Sequence, residues 1–354
     1  MKLGVMFFAS SGGGLASDRY RLLHDVVQFA DRQGFTCVWT PERHFHAFGG
    51  LFPNPAVMAA ALAMETERLQ IRAGSLISPL HDVIRIAEDW SLVDNLSNGR
   101  VAVSFGSGWN VDDFVFFPER YAERQRIMYE QIETVRRLWR GETVTRRNSF
   151  DKLVKIPLFP RPLQEELPIW VTSSGNPETF ASAGRVRANL LTHLIGQDLE
   201  TLASKIERYR AALAQEHGED VQGIVSLMLH TFVGPDGDAV RRRVWKPFRE
   251  YLRSAVSLEQ LAARAGGAIS GGHEIEAHEI PPDALEDLLD LTVERYLREG
   301  SLIGTPQSLE AFVWRLKELG VDEIACLVDF VDDPDAVQES LVYLAELQSA
   351  FASG

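Results

Sequence analysis

Eight short apolar runs recur along the chain, at 3–8, 35–40, 69–77, 100–105, 168–172, 188–192, 223–232 and 322–328, and amphipathic helical patterns lie between most of them. In one pattern Leu22, Leu23, Val26, Val27 and Ala30 share a face; in another Ile84, Ala87, Leu92 and Val93 do. That second pattern runs into Asn95-Leu96-Ser97-Asn98-Gly99-Arg100, where Asn and Gly supply the left-handed conformation that ends a helix before the next strand. Eight strands in β-then-α order predict an α/β fold, a closed (β/α)8 TIM-type barrel spanning 1–354 as a single domain. An open, doubly wound sheet is the competing arrangement.

Two insertions interrupt the alternation. One, about 141–167, carries strand-like pieces around a polar turn and ends in Pro157-Leu158-Phe159-Pro160-Arg161-Pro162. The other, about 233–300, contains Gly266-Gly267, Gly271-Gly272, His273, His278 and Pro281-Pro282, so 264–282 reads as a candidate lid. A formal charge of −14 argues against nucleic acid and anionic membrane partners. No apolar stretch approaches bilayer length, and Met1–Ala9 reads as a first strand instead of a signal peptide, so a cytoplasmic protein is expected. Cys37 and Cys326 sit in apolar runs and read as buried thiols. None of the nine histidines pairs at metal-ligand spacing on a helix, so no metal is expected.

In a barrel the C-terminal ends of the strands converge on one mouth, so the residues after each strand belong together. The second strand runs through Val38-Trp39-Thr40-Pro41 into Glu42-Arg43-His44-Phe45-His46, a concentration of polar and aromatic groups that a packing strand has no use for. Ser75, Ser78 and His81 follow the third; Ser104-Phe105-Gly106-Ser107-Gly108-Trp109-Asn110 follows the fourth. Thr172-Ser173-Ser174-Gly175-Asn176-Pro177 follows the fifth, and Thr192-His193 the sixth. Ser173, Ser174 and Gly175 precede a helix starting near Pro177 with Asn176 as its N-cap, which suits either a phosphate seat or an ordinary capped helix. Gly106-Ser107-Gly108-Trp109 lets a flat ligand touch backbone beside an indole wall, though a plain turn has the same letters. The third glycine of a dinucleotide fingerprint and the nucleophile elbow of a serine hydrolase are both missing.

Together these segments resemble the bacterial luciferase-like monooxygenase superfamily. The resemblance rests on Val38-Trp39, Glu42-Arg43-His44-Phe45, Asn54-Pro55, Glu88-Asp89, Leu92 through Arg100, and Asp113-Phe114. Ser107-Gly108-Trp109-Asn110, Arg137 through Glu142, Leu194 through Gln197, Leu302 through Pro306 and Gly320 through Phe330 are similar to the branch associated with natural-product assembly lines. The resemblance implies a TIM-type barrel that takes reduced FMN from a separate flavin reductase and reacts it with oxygen. A flavin hydroperoxide then oxygenates an amino-acid- or polyketide-derived intermediate, free or tethered to a carrier protein. It places the flavin ring near Gly74, Ser75, Ser104 and Gly106 through Asn110, with a non-proline cis peptide near Gly74-Ser75. Its phosphate falls at Ser173, Ser174 and Gly175, helped by Arg126. Homodimers are common among such proteins. Luciferases read Glu-His-His-Phe where this chain has Glu42-Arg43-His44-Phe45, and a reactive cysteine where it has Gly106, so light emission from an aldehyde is not expected. His44 is expected to move a proton, and Arg43 to stabilise a peroxide anion or hold a substrate carboxyl or phosphate. Glu42, His46, His81 and His193 are candidate substrate contacts. Arg241, Arg242, Arg243, Lys246, Arg249 and Arg253 form a candidate docking patch for an acidic carrier. A deazaflavin-dependent dehydrogenase and a flavin-binding protein without turnover are the alternatives.

Overall fold

The chain alternates strand and helix from its first residues. In the computed structural model the order is β1 (Lys2–Met6), α1 (Arg21–Gln33), β2 (Cys37–Thr40), α2 (Pro55–Glu65), β3 (Gln70–Ile77), α3 (Val83–Leu96), β4 (Val101–Gly106) and α4 (Arg124–Trp139). A hairpin of β5 (Val144–Arg147) and β6 (Leu153–Ile156) follows, then β7 (Ile169–Thr172), α5 (Pro177–Arg185), β8 (Asn189–His193), α6 (Leu199–His217) and β9 (Val225–Val233). The remainder is α7 (Gly237–Arg264), α8 (Pro282–Glu299), β10 (Leu302–Gly304), α9 (Pro306–Glu318), β11 (Glu323–Leu327) and α10 (Pro334–Ala352). The structure describes residues 1–9, 20–173, 175–264 and 282–352, without the side chains of 255–264, 282–285 and 288. Ser174 and nearly all of the candidate lid at 264–282 lie outside the described residues.

Pairing runs β1-β2-β3-β4-β7-β8-β9-β11 and returns to β1, parallel at every step. The β8–β9 and β11–β1 ladders exclude the open sheet, because a doubly wound sheet has two free edges and this ring has none. The eight strands coincide with the eight apolar runs. The 141–167 stretch is built around the antiparallel β5–β6 hairpin. Asp94 of α3 anchors its far end by accepting from the Leu163 and Gln164 amides at 2.6 and 3.1 Å. Thr231–Val233, the last three residues of β9, pair with β10 instead of β11.

Charge lies inside the barrel. Arg72 of β3 donates to both Glu323 oxygens at 2.5 and 3.2 Å, with its guanidinium against Trp39 and Trp170 at 4.8 and 4.3 Å. Ser226 donates to Glu323 at 2.9 Å and accepts from the Trp170 indole at 3.1 Å. Cys37 and Cys326 are buried and free, and burial pushes both thiols far above their ordinary range.

The Leu92–Arg100 stretch proves to be scaffold. Asn98 and Gly99 take φ of 57° and 79° to stop α3. Arg100 then reaches the carbonyls of Ala63, Thr66, Leu69 and Ser97 at 2.7–3.2 Å, closing the C-terminal end of α2. The basic residues of α7 are largely neutralised. Arg241 pairs with Glu294, Arg243 with Asp333, Arg249 with Glu286 and Asp290, and Arg253 with Glu286, which ties α7 to α8 instead of leaving a bare positive face. Among the described residues no helix is long and apolar enough to cross a membrane.

Candidate active site

Pro41 ends β2 and turns the chain across the mouth, where the Glu42 amide donates to Ser75 O at 3.0 Å and the Arg43 amide to Phe52 O at 2.9 Å. The Glu42 side chain is fully buried. Its Oε1 receives His44 Nε2 at 3.1 Å and His81 Nε2 at 2.6 Å, and its Oε2 receives the Ile77 amide at 2.6 Å. Burial alone raises this carboxyl, but the donations from His44, His81 and Ile77 outweigh it and hold Glu42 below its ordinary value. An ionised carboxylate only accepts, so both imidazoles donate to it through Nε2.

Arg43 lies beside this set with its guanidinium between the rings of Phe8 and Phe48, 4.5 and 5.1 Å from their centroids. Burial lowers its pKa. His46 is lowered as well, by burial and then by the Arg43 charge, and its Nε2 lies 3.3 Å from Asn110 Nδ2. Asn110 caps the short helical turn Val111–Phe116, and its amide also donates to Asp113 Oδ1 at 2.8 Å. Desolvation pushes Asp113 up to about 6, against the opposing pull of His44, Asn110 and Arg43. Glu42, Arg43, His44, His46, Ile77, Gly108, Trp109, Asn110 and Asp113 line one pocket. Phe45 and Phe116 meet at a tilt, 5.6 Å apart, and both touch the His44 ring.

The strand ends beside it are smooth and polar. The Gly74–Ser75 peptide is cis. A Cβ on Gly74 would come 2.8 Å from the Trp39 ring, and one on Gly108 2.8 Å from Ile77, so these positions admit backbone and nothing larger. At Gly106 a Cβ would stand 3.2 Å from Ser75 Cβ. Ser75 and Ser104 each bond the Thr172 hydroxyl, at 2.6 and 2.7 Å, a ladder across β3, β4 and β7. Gly108 O accepts from Arg124 Nε at 2.9 Å and Trp109 O from Tyr121 at 3.3 Å, which fastens the Gly106–Asn110 segment, half-buried Ser107 included, to the start of α4. Ser173 is buried with its amide on Leu191 O, and Asn176 caps α5 by accepting from Glu178 N at 2.9 Å, with Gly175 half-exposed before it.

Two candidates stand apart. Arg126 is exposed on α4, bound to Glu123 and Glu130 at 2.5 and 2.6 Å. His193 is half-buried at the end of β8, accepts from the Ile195 amide at 3.1 Å and is lowered to about 4 by desolvation. The sequence placed two further groups near the mouth without giving either a role. Thr172 closes the hydroxyl ladder and Asp113 carries the raised carboxyl. The acidic pair Asp112-Asp113 after a capping Asn110 was the available signal for the latter.

Residues 1–323 match the family model described as luciferase-like monooxygenase. The chain belongs to that family. Among luciferase-like relatives it is 25% identical over 320 residues to the oxygenase component of flavin-dependent trigonelline monooxygenase from Acinetobacter baylyi, covering 88% of this chain and 83% of that one. It is 26% identical to F420-dependent glucose-6-phosphate dehydrogenase from Amycolatopsis mediterranei, covering 73% and 78%. The oxygenating constituent of 3,6-diketocamphane monooxygenase from Pseudomonas putida, solved in complex with FMN, superposes with a TM-score of 0.78 at 17% identity over 99% of this chain and 98% of that one, a likeness of fold.

Proposed function

We propose that this protein is the oxygenase of a two-component, FMN-dependent monooxygenase, fed reduced flavin by a separate reductase and acting on an amino-acid- or polyketide-derived intermediate, free or carrier-borne. The observation that carries the reading is the pocket where Glu42, Arg43, His44, His46, Asn110 and Asp113 meet beside the glycine-lined ends of β3 and β4. Those residues fit the group. Gly74, Gly106 and Gly108 let Trp39, Ile77 and Ser75 pack flush against the strand ends, which keeps that side of the pocket free of projecting side chains, and Ser75, Thr172 and Ser104 offer hydroxyls along its edge. Ser173, Gly175 and the start of α5 suit a phosphate. Ser174 belongs to the same proposed seat, and Arg126 would have to leave its two glutamates to join it.

Reduced FMN, when bound, supplies the electrons that activate oxygen. The protein supplies position and protons. Glu42 fixes the His44 ring through Nε2, and Asp113, raised to about 6, holds a proton of its own at mildly acidic pH. Phe45, Phe116 and Trp109 limit water at the mouth. His81 shares the Glu42 oxygen and supports His44; His46 and, more remotely, His193 are left for substrate recognition.

A second reading, a deazaflavin-dependent dehydrogenase, is favoured by the F420-dependent relative. Equilibrium binding of reduced FMN and of a reduced deazaflavin under anaerobic conditions, followed by admission of oxygen, separates the two. The proposal expects reduced FMN to bind and its reoxidation to differ in rate and spectrum from free flavin. Binding of the deazaflavin with none of reduced FMN would overturn it. The same assay with labelled oxygen and a supplied substrate distinguishes turnover from mere flavin storage.

A further inference from the structure

Arginines away from the surface of this protein have work for their N–H groups. Arg72 grips Glu323, Arg100 four carbonyls, Arg120 the carbonyls of Pro79 and His81, Arg124 those of Gly108 and Tyr121, Arg136 those of Val186 and Arg187, and Arg210 and Arg249 grip carboxylates. Arg43 is different. Among the described residues its guanidinium makes no hydrogen bond and no ion pair, only the two ring contacts with Phe8 and Phe48.

The acids around it, Asp113 and Asp329 among them, act on it through space but have their hydrogen bonds elsewhere. Glu42 is held by His44, His81 and the Ile77 amide; Asp329 accepts the Phe8 and Ala9 amides at 2.9–3.0 Å; Asp113 accepts from the Asn110 amide, and desolvation raises its carboxyl to about 6. The seat is nonetheless shaped for this side chain. Gly49 stands opposite with φ of 74°, and a Cβ there would collide with Arg43 Cδ and lie 2.7 Å from Phe8 O. A desolvated cation so prepared bonds none of these acids and faces a pocket walled by Ile77 and Trp109, with its donors left for an incoming anion.

We propose that Arg43 is the anchor for an anionic oxygen group on the substrate, so that the pocket takes organic acids, carboxylate or phosphate monoester, with an apolar or aromatic body. A planar guanidinium presents two parallel donors to either group, which lysine does not. Phe8 and Phe48 fix the fork and exclude water from one side of it. This rests on reading the barrel mouth as the substrate site of a monooxygenase, and it concerns the co-substrate, not the flavin.

Binding of four probes to the full chain, phenylacetate, phenylacetamide, phenyl phosphate and phenol, tests it by calorimetry or ligand-observed NMR. The wild type should bind one of the two acids about tenfold more tightly than its neutral counterpart, the size expected of a charge-assisted pair. Whichever acid shows the larger margin identifies carboxylate or phosphate as the source. Arg43→Gln should abolish the margin and Arg43→Lys restore part of it. Gly49→Ala keeps the arginine but removes its seat, and should lose the margin too, which preserves the test if the Gln variant does not fold. Equal binding of acid and neutral probes by the wild type, failure of both acids to bind, or a margin that survives in Arg43→Gln overturns the proposal. So does a loss of affinity for FMN but not riboflavin in Arg43→Gln, which would give the cation to the flavin phosphate. Failure of the wild type to bind reduced FMN strikes the monooxygenase reading alone.

Discussion

Glu42 holds two imidazoles with one carboxylate oxygen, and that sharing sets the proton inventory of the pocket. Its folded pKa lies below the ordinary 4.5, so its contribution to stability is present above that value and is lost as pH falls through it. Glu42→Gln should therefore flatten the acid side of the thermal stability profile. It should also lower kcat/KM by roughly a hundredfold, with a displaced pH profile that a purely structural loss would not produce. Asp113 has the opposite sign. Its folded pKa of about 6 exceeds the ordinary 3.8, so its contribution is complete below 3.8 and disappears as pH rises toward about 6. Asp113→Asn should remove that decline from Tm measured against pH, and a decline that persists in the variant would show another group responsible. Arg43 and His44 were legible in sequence because charged residues immediately after a buried strand have nowhere to point but the mouth. The behaviour of Asp113 was not, since it depends on how much water the folded pocket excludes, and no local pattern records that.

Among the elements, the helix stop after α3 does double duty, ending one helix through Asn98 and Gly99 and capping another through Arg100. Arg100→Met should cost about 3 kcal/mol, because it removes the guanidinium donors from the Ala63 and Thr66 carbonyls at the end of α2; a shift of under a degree or two in Tm would contradict this. The stop itself could be read from Asn and Gly, whereas the service to α2 could not, since residues 63–69 meet Arg100 only once β3 and β4 are paired. The α7 arginines teach the reverse lesson. Their spacing on one face was readable, but the acids that neutralise them come from α8 and from Asp333, remote in sequence. Arg249→Glu should accordingly lower stability through repulsion with Glu286 and Asp290, and do so less at high salt. Unchanged stability together with impaired use of a carrier-bound substrate would return the patch to a docking role.

At the scale of the whole molecule, the strand pattern announced the ring before any contact was known, because eight apolar runs with helices between them leave few ways to bury every strand on both faces. What it concealed was the charge at the centre. Arg72 and Glu323 come from β3 and β11 and look in sequence like flaws in apolar strands. Removing one partner leaves a buried charge, so Arg72→Met should destabilise by roughly 4 kcal/mol, readable in chemical denaturation. The closure of the ring has a further consequence, for synthesis. Lys2–Met6 waits for Glu323–Leu327, more than three hundred residues later, before its outer edge is paired. Until then a ribosome carries a sheet with two open edges, a template for pairing with the wrong neighbour. Chains stopped before Glu323 should thus be clients of chaperones or aggregates instead of slightly weakened enzymes, and the last barrel strand acts as the quality stamp on the entire translation product.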